Sequence, residues 1–559
     1  MDLLVIGAGA AGMTAALVAS LEGLQSLLCE KSSMVGGTTS TSAGTVWIPG
    51  SSQSERDGVP DTVEAARKYM RAVVGDAPGV KLREAFLESG REAIDYLEAR
   101  SDVKFVAAKI HPDYKSNQPG AALGGRALAA LPYDGRLLGL DFDRVRPPRP
   151  EFMILGGMMV AKADIPHLLK PFSSASALAN VLRLVVRYGF DRLRYRRGTR
   201  LVMGNALVAR LFKSLRDRNV PITFQTKLQD LIFENGKVTG AALEVASQRK
   251  TVRTRLGVVL ATGGIGWHTS LRARLFPADA QAYSLSPRSN SGDGIAAGLR
   301  VGGVIEQELE SAGLWMPCSI LRKPDGNEAI FPHIVLDRAK PGLIAINKAG
   351  KRFTNEANSY HDFVQAMLQE GPAGKSVPAY LICDRSFITD YGIGLVHPGT
   401  GNLREFVRAG YLLEGISAAD LASQLGVDGD ALAETIAEHN RYAAAGVDEA
   451  FGRGSTDLNR VNGDSLNKPN PCMRPIATPP LFAVEVWPAD LASSAGLDVD
   501  PDGQVLDENG SPIRGLFACG NDAASIFGGT YPGPGTTLGP ALTFAWRLVH
   551  ALIRRKQRA

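Results

Sequence analysis

The 559-residue chain is poor in cysteine and histidine and has no long apolar run. Its five cysteines, Cys29, Cys318, Cys383, Cys472 and Cys519, are scattered without a C-x-x-C pair. This spacing excludes a zinc or iron–sulfur site, and the odd count argues against a disulfide framework. No metal is expected, and a reducing compartment is the simplest inference. The longest clean apolar stretch, FMILGGMMVA near 152–161, is too short to span a bilayer. Residues 2–6, DLLVI, already read as a strand of the fold, so no leader and a cytoplasmic setting are expected. No nucleic-acid partner is expected. Glycine, by contrast, is plentiful at 61 residues, which suits many close backbone approaches to a ligand. The length allows two or more domains, and a hydrophobic content of 45% is that of a globular protein.

The N-terminal segment carries the first chemical signal. A buried apolar strand runs into G-A-G-A-A-G at residues 7–12, followed by a helix and a second strand ending at Glu30. Gly7 makes the tight turn, Gly9 lets the backbone approach a pyrophosphate, and Gly12 lets helix and strand pack closely. Ala8, Ala10 and Ala11 share that loop and are expected against the cofactor. Glu30 lies eighteen residues after Gly12, where a carboxylate accepts hydrogen bonds from a ribose. The fold class is therefore α/β, with a Rossmann-like dinucleotide domain.

NAD and FAD both use such a unit, and the following residues favour FAD. Lys31 and Ser32 lead into GGTTSTSAGTVW at 36–47. Its Gly37, Thr38, Thr39, Ser42, Ala43 and Gly44 offer N–H and hydroxyl groups with little bulk beneath a flavin ring. The strand GVVLATGG at 257–264 ends in Ala261, Thr262 and Gly263, and GLFACGN at 515–521 ends at Gly520 and Asn521. Leu228 is also placed at the cofactor. Thr537, Leu538 and Pro540 open an apolar C-terminal helix whose positive N-terminal end could face the flavin pyrimidine. No histidine or cysteine falls in 36–47, so the FAD is expected to be non-covalent.

Residues 528–540, GGTYPGPGTTLGP, place Tyr531 in a turn built almost wholly of glycine and proline. A phenol at Tyr531 and a bare N–H at Gly535 could both donate to one ligand oxygen, an arrangement that suits an oxyanion or enolate.

Together these segments resemble the flavoproteins of the fumarate reductase superfamily, and the chain is most similar to the 3-ketosteroid Δ1-dehydrogenases. The resemblance covers nearly the whole chain; its most specific piece is TYPGPGTTLGPALTF. In fumarate reductases an arginine stands four residues after the Glu of the RFxNE segment; in GKRFTNEANSYHD at 350–362 that position is Tyr360. The resemblance implies that Tyr360 removes a proton from C2 of a steroid, that Tyr531 and the Gly535 N–H hold the C3 oxygen, and that C1 gives hydride to flavin N5. It implies a third tyrosine assisting the base, for which PDY at 112–114 offers Tyr114. His111 departs from the family pattern, which has an aromatic there. Phe331 is expected near the steroid wall.

Residues 142–205 look inserted. Between Arg144 and Asn205 twelve basic side chains face three acidic ones. Leu178, Val181, Leu182 and Val185 recur at helical spacing beside Arg183 and Arg187, with Arg192, Arg194, Arg196, Arg197 and Arg200 following. A basic helix with an apolar face reads as a membrane-surface element. Long forms of this kind resemble enzymes acting on sterols with an alkyl side chain, such as cholest-4-en-3-one, which implies peripheral attachment to the inner membrane face.

The expected organisation is an FAD domain from 1–318 and 480–559, with an α+β substrate domain at 319–479 interposed and the polar loop 451–464 over the site. The expected partners are a 3-ketosteroid and an external electron acceptor, a quinone or another oxidant. Three alternatives remain open: C4–C5 dehydrogenation, an enoate reductase of fumarate reductase type, and a non-catalytic flavoprotein that docks on membranes.

Overall fold

The computed structural model describes residues 1–75, 79–169, 171–334, 337–369 and 375–558. Strand Leu3–Ile6 is wholly buried, and its continuous apolar run suits the middle of a parallel sheet covered on both faces. It pairs in parallel with Ser26–Cys29 on one side and Gly257–Leu260 on the other. The sheet has nine strands. Its main path runs Ile222–Thr223, Ser26–Cys29, Leu3–Ile6, Gly257–Leu260, Pro512–Ala518, Lys237–Val245, Thr226–Glu234. A strand from the far end of the chain thus lies next to two from its first half. Helix Ala10–Leu21 is Ala-rich and almost wholly buried because it packs against both Met203–Asp217 and the C-terminal helix Leu538–Arg558.

The second sheet has seven strands built around Leu481–Ser493, which bonds to Gly313–Arg322 on one edge and Ala379–Asp384 on the other. Glu328–Pro332 and Leu343–Ile346 flank these. This shifts the expected organisation. A boundary at 319 would cut Gly313–Arg322 in two, and Leu481–Ser493, placed with the cofactor domain from sequence, is the axis of this second sheet.

The inserted segment forms a hairpin, Met153–Ile154 with Met158–Met159, and two helices, Ile165–Leu169 and Ala175–Arg192. Ser174 caps the longer helix by accepting from the Ala177 N–H. Leu184 and Tyr188 pack inward on Met158. The outward stripe is Leu182, Val185, Val186, Phe190 and Leu193; of the expected face Leu178, Val181, Leu182 and Val185, the first two are half-buried and the last two exposed. Among the described residues, no helix is long and apolar enough to cross a membrane.

Candidate active site

One cavity of ≈ 940 Å³ runs from the glycine-rich loop, past the 36–47 loop, into the second sheet. Its first half is a dinucleotide cradle. Gly7 has φ +104°, and a Cβ there would lie 2.2 Å from the Ala261 oxygen; a Cβ on Gly12 would lie 1.9 Å from the Gly7 oxygen. Both positions are therefore closed to any other residue. Gly9, by contrast, has nothing within 4 Å on that side, leaving its backbone open to a phosphate. Glu30 is fixed by accepting from the N–H groups of Ala8 at 2.9 Å and Ser32 at 2.8 Å. Lys31 pairs with Asp293 at 2.8 Å.

Of the residues expected at the cofactor, Ala8, Ala10, Ala11, Gly37, Thr38, Thr39, Ser42, Ala43, Gly44 and Leu228 line this cavity, as do Ala261, Thr262, Gly263, Gly520, Asn521, Thr537 and Leu538. Three stand apart from its lining. Gly12 is consumed in helix–strand packing, Ser32 serves Glu30, and Pro540 faces a smaller neighbouring pocket. Two contributors escaped the sequence reading. Asp522 is fully buried and accepts from the Thr262 N–H at 2.6 Å and the Gly264 N–H at 2.9 Å, tying the ends of two adjacent strands together. Asn290 donates to Thr38 Oγ1 at 2.9 Å and to the Gly263 carbonyl at 3.1 Å. The one signal for Asp522 was its place directly after Gly520-Asn521.

The second half of the cavity holds three phenols. Tyr114 donates to the Tyr360 hydroxyl at 3.0 Å. Ring centroids lie 5.4 Å apart for Tyr114 and Tyr360, 5.5 Å for Tyr360 and Tyr531, and 5.6 Å for Tyr114 and Tyr531, the last pair stacked. Distant parts of the chain position them. Tyr360 opens the helix Tyr360–Leu368, capped by Ser359. Tyr114 is held by its N–H to the Pro532 carbonyl at 2.8 Å, which joins it directly to the Tyr531 loop. Gly535 has φ +95°, a Cβ there would meet the Thr45 oxygen at 2.6 Å, and its carbonyl accepts from the Trp47 N–H at 3.1 Å. Its own N–H has no acceptor among the described residues. Leu285, Leu314, Met316 and Cys318 pack around Tyr360 and Tyr531, and Phe331 lines the same cavity.

Burial pushes all three phenols above the ordinary tyrosine value. For Tyr360 the neighbouring Tyr114 and Tyr531 oxygens add to the rise. Burial has the opposite effect on His361, disfavouring its charged form and holding it down to about 4; its Nδ1 is placed by accepting from the Trp315 N–H at 3.2 Å.

Beneath Tyr360 lies an ionic anchor. Glu356 is fully buried and accepts from Arg352 at 2.8 Å, from Arg453 at 3.1 Å and from the Ala345 N–H at 3.0 Å. Arg453 comes from the segment 451–464 expected to be a polar loop over the site. That segment instead sends its arginine into the core and forms a short helix, Asp457–Asn462, whose Leu458 and Asn462 line the cavity.

A parallel-sheet cradle whose cavity continues into the second sheet defines an FAD-binding flavoprotein. The chain belongs to the FAD binding domain family, whose model matches residues 2–538. Within it, the chain is 38% identical to 4-oxocyclohex-2-ene-1-carboxylate 5-dehydrogenase of Sinomonas cyclohexanicum, over 98% of this chain and 92% of that protein. It is 33% identical to 3-oxosteroid 1-dehydrogenase of Mycolicibacterium smegmatis, over 98% of this chain and 96% of that protein. Among solved structures, 3-ketosteroid Δ1-dehydrogenase from Sterolibacterium denitrificans, in complex with 1,4-androstadiene-3,17-dione, superposes with a TM-score of 0.92 at 34% identity, covering 99% of both chains.

Proposed function

We propose that this flavoprotein desaturates the C1–C2 bond of 3-ketosteroids. The observation that carries the reading is the convergence of Tyr114, Tyr360 and Tyr531 on an apolar wall in the cavity that also contains the dinucleotide cradle. The cradle glycines, Glu30 and Asn290 would hold FAD, which supplies the hydride acceptor. The protein's own part is proton chemistry and orientation. A ketone acidifies the C–H beside it, and the Tyr531 hydroxyl and Gly535 N–H donate to the ketone oxygen as negative charge develops there. Tyr360 takes the C2 proton. Tyr114, donating to Tyr360, steadies the charge that Tyr360 carries before the proton arrives. Tyr360 stands where the resemblance places an arginine in enoate reductases of fumarate reductase type, and this departure disfavours that alternative.

Anaerobic titration with androst-4-ene-3,17-dione tests this reading. The flavin band bleaches, and NMR of the product places the new double bond between C1 and C2. A C4–C5 product, or no bleaching, overturns it.

The finer assignment concerns sterols that keep their alkyl chain, taken from a membrane face. In support, the inserted segment lines the cavity with Phe152, Ile154, Val160, Ile165 and Leu168 and presents its apolar stripe outward, with Phe190 70% and Leu193 83% exposed. Arg183, Arg192, Arg194 and Arg196 are exposed around that stripe. Arg197, grouped with them from sequence, points inward to Asn205 at 2.8 Å and the Val145 carbonyl. Each exposed arginine adds about 1 kcal/mol of attraction to an anionic surface. Replacing Arg192, Arg194 and Arg196 with Gln should release the protein from anionic liposomes and lower activity on cholest-4-en-3-one more than on androst-4-ene-3,17-dione. Equal activities, with no liposome binding by the unaltered protein, remove this assignment.

A further inference from the structure

Tyr114 is carried by a turn rather than by a helix or strand, so its hydroxyl is aimed by whatever fastens that turn. The attachments follow one another along the chain. The Tyr114 N–H donates to the Pro532 carbonyl at 2.8 Å. The Lys115 N–H donates to the Tyr69 hydroxyl at 3.1 Å, which itself donates to that same carbonyl at 2.6 Å. The Ser116 hydroxyl accepts from the Leu458 N–H at 3.0 Å. These bonds tie the turn to the Tyr531 loop, to the helix Val63–Val74 and to the helix Asp457–Asn462. Side chains join it to the Tyr360 helix: the Tyr114 hydroxyl meets that of Tyr360 at 3.0 Å, and Lys115 Nζ meets Asp362 Oδ1 at 2.8 Å.

A hydrogen bond between two hydroxyls fixes a distance and leaves both rings free to swing about it. Residues two apart on a helix do not face the same way, so Asp362 meets the turn at a different point from Tyr360. A second contact off the axis of the first fixes orientation as well as distance. Asp362 is itself held, because its N–H donates at 3.1 Å to the Ser359 hydroxyl that caps the helix. Lys115 is 39% exposed and Asp362 18%, and an ion pair so open to water contributes little to stability. What the pair can govern is the angle at which the two phenols meet: one end is the chain neighbour of Tyr114, the other lies in the first turn of the Tyr360 helix.

We propose that Lys115 and Asp362 are positioning residues, a clip that holds the Tyr114 hydroxyl against Tyr360 at the angle proton removal requires. This rests on the ketosteroid reading above. The test measures the rate of flavin reduction by saturating androst-4-ene-3,17-dione in stopped flow, with KM and urea unfolding alongside. Lys115→Met and Asp362→Asn each lower the rate about tenfold, since a ~1 Å misplacement costs ~10²-fold and a loosened angle less. KM and the urea midpoint stay close to those of the unaltered protein. Lys115→Arg, which keeps the cation, retains most of the rate. In Tyr114→Phe no hydroxyl is left to align, so adding Lys115→Met lowers the rate by less than about twofold. An unchanged rate in Lys115→Met and Asp362→Asn overturns the proposal. So does an equal step with and without the Tyr114 hydroxyl, which marks the pair as a general strut. Opposite changes from the two single variants also overturn it, because charge rather than alignment is then at work. Failure of the steroid to reduce the flavin of the unaltered protein overturns the ketosteroid reading and the clip with it.

Discussion

Tyr360 sits among buried phenols, and burial holds it protonated. A base so placed works through the small fraction of it that is phenolate. Because its pKa is raised, that fraction grows about tenfold per pH unit through the neutral and alkaline range. The rate of flavin reduction by a saturating 3-ketosteroid should therefore climb from neutral to alkaline pH in stopped-flow measurements; a flat profile would assign the proton to another acceptor. Tyr360→Phe should keep its flavin and lose ~10²–10⁴ of that rate. Tyr531→Phe should slow exchange of the C2 hydrogens into heavy water by ~10²–10³, followed by NMR. Tyr531 was legible from its turn of glycine and proline, whereas Tyr360 was legible only through the resemblance, which aligns it with an arginine of fumarate reductases. Asn290 was not: in RSNSGDG it looks like an ordinary loop residue, and only the fold brings it to Thr38 and Gly263.

The element that aims Tyr360 is the segment 350–362 together with the helix it starts, and Glu356 fastens it. Burial alone would raise this carboxyl, but the Arg352 and Arg453 guanidinium groups hold it at about 2, against an ordinary 4.5. A depressed carboxylate contributes stability that is present above pH 4.5 and is lost as pH falls toward 2. Glu356→Gln leaves two buried arginines short of a partner and should cost about 3–5 kcal/mol in urea unfolding. The loss of stability between those pH values should be shallower in the variant. An unchanged acid limb would mean that other carboxylates set it. The sequence reading used this segment only to locate position 360. Its anchoring role depends on Arg453, ninety-seven residues away from Glu356, which no local pattern connects to it. Likewise, helical spacing made Ala175–Arg192 legible as a helix, but which of its apolar residues face outward was decided by the Met158 hairpin packed beneath.

At the scale of the whole molecule, the dinucleotide domain was legible from Gly7, Gly9, Gly12 and Glu30, whose spacing is local. The division of the chain was harder to read, because Leu481–Ser493 lies beside cofactor-domain segments in sequence but pairs with strands of the second sheet. The cradle carries no histidine or cysteine in 36–47, and Cys29, at the end of a cradle strand, is buried with its thiol pushed up to about 11. Acid precipitation should therefore release all the yellow colour into the supernatant; colour in the pellet would reveal a covalent link. The central sheet has a further consequence, for the order of events in synthesis. Pro512–Ala518 fills the place between Gly257–Leu260 and Lys237–Val245, and the last helix covers the first. Until that late strand leaves the ribosome, the nascent cofactor domain has a gap in its middle. Flavin capture is therefore a post-translational step, and a chain ending at residue 509 should emerge colourless however much FAD the cell supplies.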